Sequence, residues 1–313
     1  MTDSTGRKIQ YMRISITDRC NLRCSYCQPT LPLSHHNILR YEEILRVCEI
    51  ITGLGIHAFR VTGGEPLVRK GCVDFLRKLK SLPGVSRLSL TTNGVLLEPY
   101  VNELAQTVDG INISLDSINT DTYRKITGTN GLDAVLQSLH SALNAGHRVK
   151  INCVPMRGIN DSEIIQLAQL AEKFPIDVRF IEYMPTTANN DTLRVAGSEI
   201  LRQLSQEYSD LQPNNQLKGQ GPARYYKSAK MQGSIGIITA IDNCFCADCN
   251  RVRLTSQGFL KLCLFHDDGV DLRTLLHGET CDSEIEAAIS RAISQKPGHH
   301  RFGKIKNMSQ IGG

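Results

Sequence analysis

Tyr11-Met12-Arg13-Ile14-Ser15-Ile16 runs straight into Thr17-Asp18-Arg19-Cys20-Asn21-Leu22-Arg23-Cys24-Ser25-Tyr26-Cys27, and the reading of this stretch decides the reading of the other residues. A strand-like segment leads into a Cys-x3-Cys-x2-Cys loop. Three thiols so close together are rarely there for packing. Thiolates are the ligands of iron-sulfur clusters, and a cubane of four irons with only three protein thiolates keeps one iron free, much as a catalytic zinc keeps an open position. The competing readings are a structural zinc site and three buried cysteines acting as small apolar groups.

Downstream of this loop the chain alternates. Strand-like segments are expected at Tyr11 to Thr17, His57 to Thr62, Arg87 to Thr91, Gly110 to Ser114, Arg148 to Val154 and Asp177 to Glu182. Helical patterns fall between them at Tyr41 to Leu54, Val73 to Ser81, Glu98 to Thr107, Leu132 to Ala145 and Asp161 to Phe174. The first helix carries Ile44, Leu45, Val47, Cys48, Ile51 and Leu54 at three- and four-residue steps and stops at Gly55. The last opens on an N-cap signal, Asp161-Ser162-Glu163, and is stopped by Pro175. Strands alternating with helices predict βα units around a parallel sheet, and six of them predict an α/β fold built on a partial barrel.

In such folds reactive groups gather where loops leave the carboxyl ends of the strands. The informative residues sit there: the cysteine loop, Thr62-Gly63-Gly64-Glu65-Pro66, Thr91-Thr92-Asn93-Gly94, Ser114-Leu115-Asp116-Ser117 and Glu182-Tyr183-Met184-Pro185. Beyond Pro185 the texture turns polar, a helix is expected from Ser198 to Tyr208, and short strands follow at Arg224 to Lys227 and Ser234 to Thr239. A hairpin-like pair spans Val252 to Leu264, and a final helix runs from Ser283 to Ser294. We place a domain boundary near residue 200, giving a 1–200 barrel and a 201–313 domain of α+β character. No internal repeat stands out.

Composition narrows the class. A formal net charge of +5 and 5% aromatics without Trp give no basic stripe and no stacking platform, so nucleic acid is not expected as a partner. No apolar run reaches membrane-spanning length, and the first residues lack a signal-peptide core, so eleven cysteines point to the reducing cytoplasm and not to a disulfide scaffold. Six of the eleven fall in two groups. Cys48, Cys72, Cys153, Cys244 and Cys281 read as ordinary thiols.

The second group is Cys246-Ala247-Asp248-Cys249, followed by Asn250-Arg251-Val252-Arg253 and by Cys263. By spacing alone it is also compatible with a zinc ribbon completed by Cys244 or His266. Alternation along a strand sets the Arg251 and Arg253 side chains on one side, and guanidinium groups meet phosphate oxygens bidentately. Arg13, Arg60, Lys150 and Arg179 lie on strand candidates that should face the same cavity. Each alone would read as a solvated or paired cation.

The cysteine run with Thr62-Gly63-Gly64-Glu65-Pro66 resembles the first motifs of the radical S-adenosylmethionine enzymes. Adding Arg60-Val61, Thr91-Thr92-Asn93-Gly94, Phe180-Ile181-Glu182, Phe245-Cys246 to Arg253 and the terminal Gly312-Gly313, the chain resembles the MoaA proteins of molybdenum cofactor biosynthesis over nearly its whole length. The resemblance implies a partial (β/α)6 TIM-like barrel with a smaller C-terminal cluster-binding domain. It implies two [4Fe-4S] clusters, on Cys20, Cys24, Cys27 and on Cys246, Cys249, Cys263. S-adenosylmethionine would be held near Tyr26, Gly64, Ser114 and Met184. GTP would be held by Arg13, Arg60, Lys150, Arg251, Arg253, Thr91 and the backbone of Val252, with Arg179 a weaker candidate. Arg253 and a Gly312-Gly313 tail reaching into the site are the residues expected to act in turnover. The implied reaction is cyclisation of GTP to 3′,8-cyclo-GTP. The implied partners are an electron donor, the next enzyme of the pathway (cyclic pyranopterin monophosphate synthase) and a second copy in a homodimer. Two other functions compete: a radical enzyme with an auxiliary cluster acting on a peptide, and a non-catalytic iron-sulfur or zinc sensor of metal or redox state. The dyads His35-His36 and His299-His300 read as surface residues.

Overall fold

The computed structural model describes residues 1–27, 37–184, 191–215, 221–241 and 245–299. Six parallel strands follow one another in sequence and in space: β1 (Tyr11–Ser15), β2 (Ala58–Thr62), β3 (Arg87–Thr92), β4 (Ile111–Ser114), β5 (Val149–Cys153) and β6 (Asp177–Ile181). The six expected strands are thus present. Their alternation is visible in register: Met12 and Ile14 are fully buried in the outer core, and Arg13 between them faces the lumen.

The sheet does not end with these six. β7 (Gln212–Asn214), β8 (Arg224–Lys227), β9 (Ser234–Ile238), β10 (Arg251–Leu254), β11 (Phe259–Lys261) and β12 (Gly269–Asp271) extend it on both sides, in the order β12-β11-β10-β1-β2-β3-β4-β5-β6-β9-β8-β7. β10 pairs in parallel with β1, Arg253 opposite Arg13, and β9 pairs in parallel with β6. Two strands from beyond residue 200 therefore serve as the flanking staves of the barrel.

Helices cover the outer face: α1 (Tyr41–Gly53), α2 (Cys72–Ser81), α3 (Val101–Ala105), α4 (Thr120–Thr127), α5 (Leu132–Asn144), α6 (Ile164–Ala168), α7 (Leu170–Lys173), α8 (Gly197–Glu207), α9 (Leu272–His277) and α10 (Asp282–Ser294). In α1 the apolar stripe Ile44, Val47, Cys48 and Ile51 is at most 1% exposed. Each large aliphatic side chain so buried stabilises the packing by about 1.5–3 kcal/mol. Gly55, at φ 88°, turns the chain out of the helix in the left-handed region that glycine adopts freely.

Some expectations are corrected. The segment expected as one helix over Asp161 to Phe174 begins as a 3₁₀ turn and breaks at Gln169, and Asp161 is not its cap. Asn160 holds the N-cap position, and its side chain is engaged instead by Met156 N, Asp116 O and Val154 O. The Asp161 carboxylate accepts from Gly158 N in the preceding turn. The segment expected from Glu98 likewise opens as a 3₁₀ turn before α3. α4 was not foreseen; it is capped by Asn119 Oδ1, which accepts from Asp121 N and Thr122 N, and closes on Gly128 at φ 74°. β7, β12 and α9 are further elements outside the expected set.

Candidate active site

The cysteine loop is fastened to the loop after β2. Gly64 N donates to Thr17 O at 2.7 Å and Glu65 N to Arg19 O at 2.8 Å. A Cβ placed on Gly64 would stand 2.3 Å from the Arg19 carbonyl oxygen, so the second glycine of the pair is required by the close pass of the cysteine loop. Buried Glu65 then ties in the next strand. It accepts from Leu67 N, from Thr92 Oγ1 at 2.8 Å and from Asn93 N at 2.7 Å. Asn93 Nδ2 reaches back to Asn21 Oδ1 at 2.7 Å and to Cys20 Sγ at 3.7 Å. Three successive βα loops thus form one hydrogen-bonded platform.

On the other side, Tyr26 Oη donates to Asp116 Oδ2 at 2.7 Å, and Asp116 Oδ1 accepts from Val154 N at 2.8 Å. This pins the cysteine loop to the ends of β4 and β5. Burial raises Asp116 to about 6 and Glu65 to about 7. Burial pushes the Cys27 thiol up to about 12, and the neighbouring Cys20 and Asp116 add to it; Cys24 moves the same way for the same kinds of cause.

Above the carboxyl ends of the strands lies a cavity of about 210 Å³. It brings together Arg13, Tyr26, Thr91, Ser114, Met184, Arg251, Arg253, Cys246, Cys249 and Cys263, ten of the residues expected at the site. Asp116 and Asn152 line it as well, and Phe245 lies beneath the Arg251 guanidinium, 4.9 Å from its carbon to the ring centre. A second cavity of about 350 Å³ opens at the amino-terminal ends of the strands and is lined by Arg60, Lys150 and Arg179. Lys150 there pairs with Asp177 at 2.8 Å and donates to Tyr225 Oη at 3.0 Å. Arg179 donates to Asn112 Oδ1. The expected site residues therefore divide between two cavities at opposite ends of the strands, and Arg60, Arg13 and Arg253 stand opposite one another on adjacent strands. The Val252 side chain is fully buried on the opposite face of β10.

The lumen concentrates positive charge. Burial lowers Arg60 to about 9, with repulsion from Arg13, Arg179 and Arg251 adding to it. Arg251 and Arg253 are lowered first by burial and then by Arg13. Arg13 Nε, Thr91 Oγ1, Asn152 Oδ1 and Arg251 Nε have no hydrogen-bond partner among the described residues. Unpaired donors and mutually repelling guanidinium groups are costly to bury, and a polyanion in the lumen would offset that cost.

The first cysteine group fits a cluster. Cys20 Sγ accepts from Leu22 N at 3.4 Å as well as from Asn93, as a cluster-bound thiolate does. Among the described residues no three His, Cys, Asp or Glu side chains converge on one ion position. A cubane takes each thiolate at a different iron, so its donors surround it without meeting at a point. Gly312, Gly313, Cys244, His35, His36 and His300 lie outside the described residues, and His299 is exposed. Sequence reasoning assigned no role to Glu65, Asn93 or Asp116, although each lies in a loop it had marked.

Residues 14–171 match the family model of the radical SAM superfamily, and residues 176–302 match that of molybdenum cofactor synthesis C. The fold resembles that of Streptococcus suis SuiB bound to S-adenosylmethionine, with a TM-score of 0.64 and 14% identity over 90% of this chain and 68% of that one. SuiB bound to precursor peptide SuiA gives a TM-score of 0.66 at 13% identity, over 90% of this chain and 67% of that one. These likenesses concern the fold alone. The platform and the match over half the chain define the class, a radical S-adenosylmethionine protein, which implies a [4Fe-4S] cluster and S-adenosylmethionine. Curated relatives called GTP 3′,8-cyclase are 45% identical in Geobacter sulfurreducens, over all of this chain and 99% of that one, and 43% identical in Moorella thermoacetica, over all of both. The chain belongs to the family of these proteins. Among the described residues no helix is long and apolar enough to cross a membrane.

Proposed function

We propose that the chain is a GTP 3′,8-cyclase, converting GTP to 3′,8-cyclo-GTP in the first step of molybdenum cofactor biosynthesis. One observation carries this reading beyond family membership: the cavity at the carboxyl ends of the strands is lined by Cys246, Cys249 and Cys263 together with the guanidinium groups of Arg13, Arg251 and Arg253. Cys20, Cys24 and Cys27 would hold a [4Fe-4S] cluster that, with S-adenosylmethionine, would supply radical chemistry able to take a hydrogen atom from the ribose. The protein positions and shields. Tyr26, Ser114 and Met184 border the space for the nucleoside and sulfonium parts of the cofactor, and the Gly64 turn offers backbone groups to its methionine part. Arg13, Arg251 and Arg253, with Arg60 and Lys150 from the cavity at the other end of the strands, hold the phosphates. Thr91 and the Val252 backbone contact the nucleotide. Cys246, Cys249 and Cys263, which line the same cavity, would hold a second [4Fe-4S] cluster that would bind the guanine, and Gly312 and Gly313 would complete the site in turnover together with Arg253.

The same reading gives the chain two functional parts, 1–200 and 201–313, a cytoplasmic setting, an electron donor, a homodimeric partner, and cyclic pyranopterin monophosphate synthase as the next enzyme. The test is GTP affinity. Arg253→Met removes one charge-assisted phosphate contact, worth about 1.5–3 kcal/mol, and is expected to weaken GTP binding roughly 10- to 150-fold by calorimetry. Unchanged affinity would remove Arg253 from the phosphate site.

A further inference from the structure

Behind the second cysteine group, on the side away from the cavity, are two buried cations that the reaction does not use. Lys296 is 2% exposed, and its ammonium donates to the carbonyl of Leu262, the residue before Cys263. Arg7 Nη1 donates to the Cys246 carbonyl at 2.7 Å and to the Gly298 carbonyl at 3.2 Å, and its Nη2 donates to the Pro297 carbonyl at 2.8 Å. The two differ in net effect. Asp3 lies 2.6 Å from Arg7 and neutralises much of its charge, whereas Lys296 has no ion pair among the described residues. The backbone of both cysteine segments is thus fixed by cations, and one of them, Lys296, has no carboxylate partner among the described residues.

The two cysteine groups sit in opposite surroundings. Carboxylates stand at the first: Asp116 accepts from Tyr26, between Cys24 and Cys27, and Glu65 accepts from Asn93, whose side-chain amide reaches Cys20. Cations act on the second. Lys296 and Arg7 donate to the carbonyls of Leu262 and Cys246, and Arg251 follows Cys249 by two residues. A cluster gains one negative charge on reduction, so a buried cation beside it favours the reduced form.

Resting on the reading that Cys246, Cys249 and Cys263 hold a cluster, we propose that Lys296, with Arg7 as a lesser contributor, is the counter-charge of that cluster and raises its reduction potential. It is a positioning and tuning residue, contacting neither GTP nor S-adenosylmethionine.

The test uses full-length chains reconstituted with iron and sulfide, in a Cys20→Ala/Cys24→Ala/Cys27→Ala background that isolates the second cluster's electron paramagnetic resonance signal. Potentiometric titration compares Lys296 with Lys296→Met and Lys296→Arg. Lys296→Met is expected to shift the equilibrium at least tenfold toward the oxidised form, about 59 mV for a one-electron couple, while Lys296→Arg stays close to the parent. A loaded Lys296→Met chain with an unmoved midpoint overturns the proposal and leaves the lysine a cap for the Leu262 carbonyl. Should Lys296→Met not load, Arg7→Met decides: a smaller shift in the same direction supports the proposal, and no shift overturns it. About four irons per wild-type chain, instead of about eight, would defeat the two-cluster reading and the proposal together.

Discussion

Glu65 shows how much a single side chain is asked to do. Its carboxylate accepts from Leu67 N, Thr92 Oγ1 and Asn93 N while fully enclosed, and burial outweighs those bonds to raise it to about 7. The folded chain therefore binds this proton more tightly than the unfolded chain, whose ordinary value is 4.5. The unfolded state holds fewer protons through that window, so stability falls as pH rises from about 4.5 to about 7 and levels off above it. We expect the cluster-free wild type to lose up to roughly 3 kcal/mol relative to Glu65→Gln across this range. Urea unfolding of both chains at a series of pH values measures it, and parallel pH profiles would show that Glu65 is not raised. The Thr62-Gly63-Gly64-Glu65-Pro66 motif marked the position. What it could not give was the acid's partners, because Thr92 and Asn93 meet it only once β2 and β3 are adjacent.

At the scale of elements, the turn after β2 and the cysteine loop are a single unit. Gly64→Ala would drive a methyl group against the backbone of Asp18 and Arg19, which cannot rotate aside as a side chain can. The expected outcome is loss of the cluster at Cys20, Cys24 and Cys27, the iron content falling by about four per chain on reconstitution. A full complement of iron would show that the contact is not required. The six barrel strands were legible because their apolar residues alternate and glycines, prolines and caps punctuate them. α4 was not, because its buried residues Tyr123, Ile126 and Thr127 sit among polar ones and its cap, Asn119, stands in a polar run. The helix expected from Asp161 failed for a tertiary reason: the Asn160 side chain is drawn to Asp116 and Val154, and the first turn tightens.

For the whole molecule, the second half of the chain helps to build the barrel as well as to extend it. Ile235 and Ile237 on β9 and Val252 and Leu254 on β10 are nearly or fully buried against the staves formed by β6 and β1. A chain ending at residue 200 would expose both edges and this apolar surface, so it is expected to be insoluble or to unfold without a cooperative transition, by circular dichroism and urea titration. A soluble, cooperatively folding 1–200 fragment would contradict this. The charge of the site was partly legible: the Arg251-Val252-Arg253 alternation was, whereas the division of the cations between two cavities was not, since it depends on the register between strands distant in sequence. The pairing of Lys150 with Asp177 was hidden for the same reason.

The most direct test of the account is isotopic. The reconstituted protein is reduced anaerobically with dithionite in the presence of S-adenosylmethionine and GTP deuterated at C3′, and the products are analysed by mass spectrometry. The account predicts deuterium in 5′-deoxyadenosine and a cyclised GTP product. Cleavage of S-adenosylmethionine with no deuterium transfer would contradict the assignment of GTP as substrate.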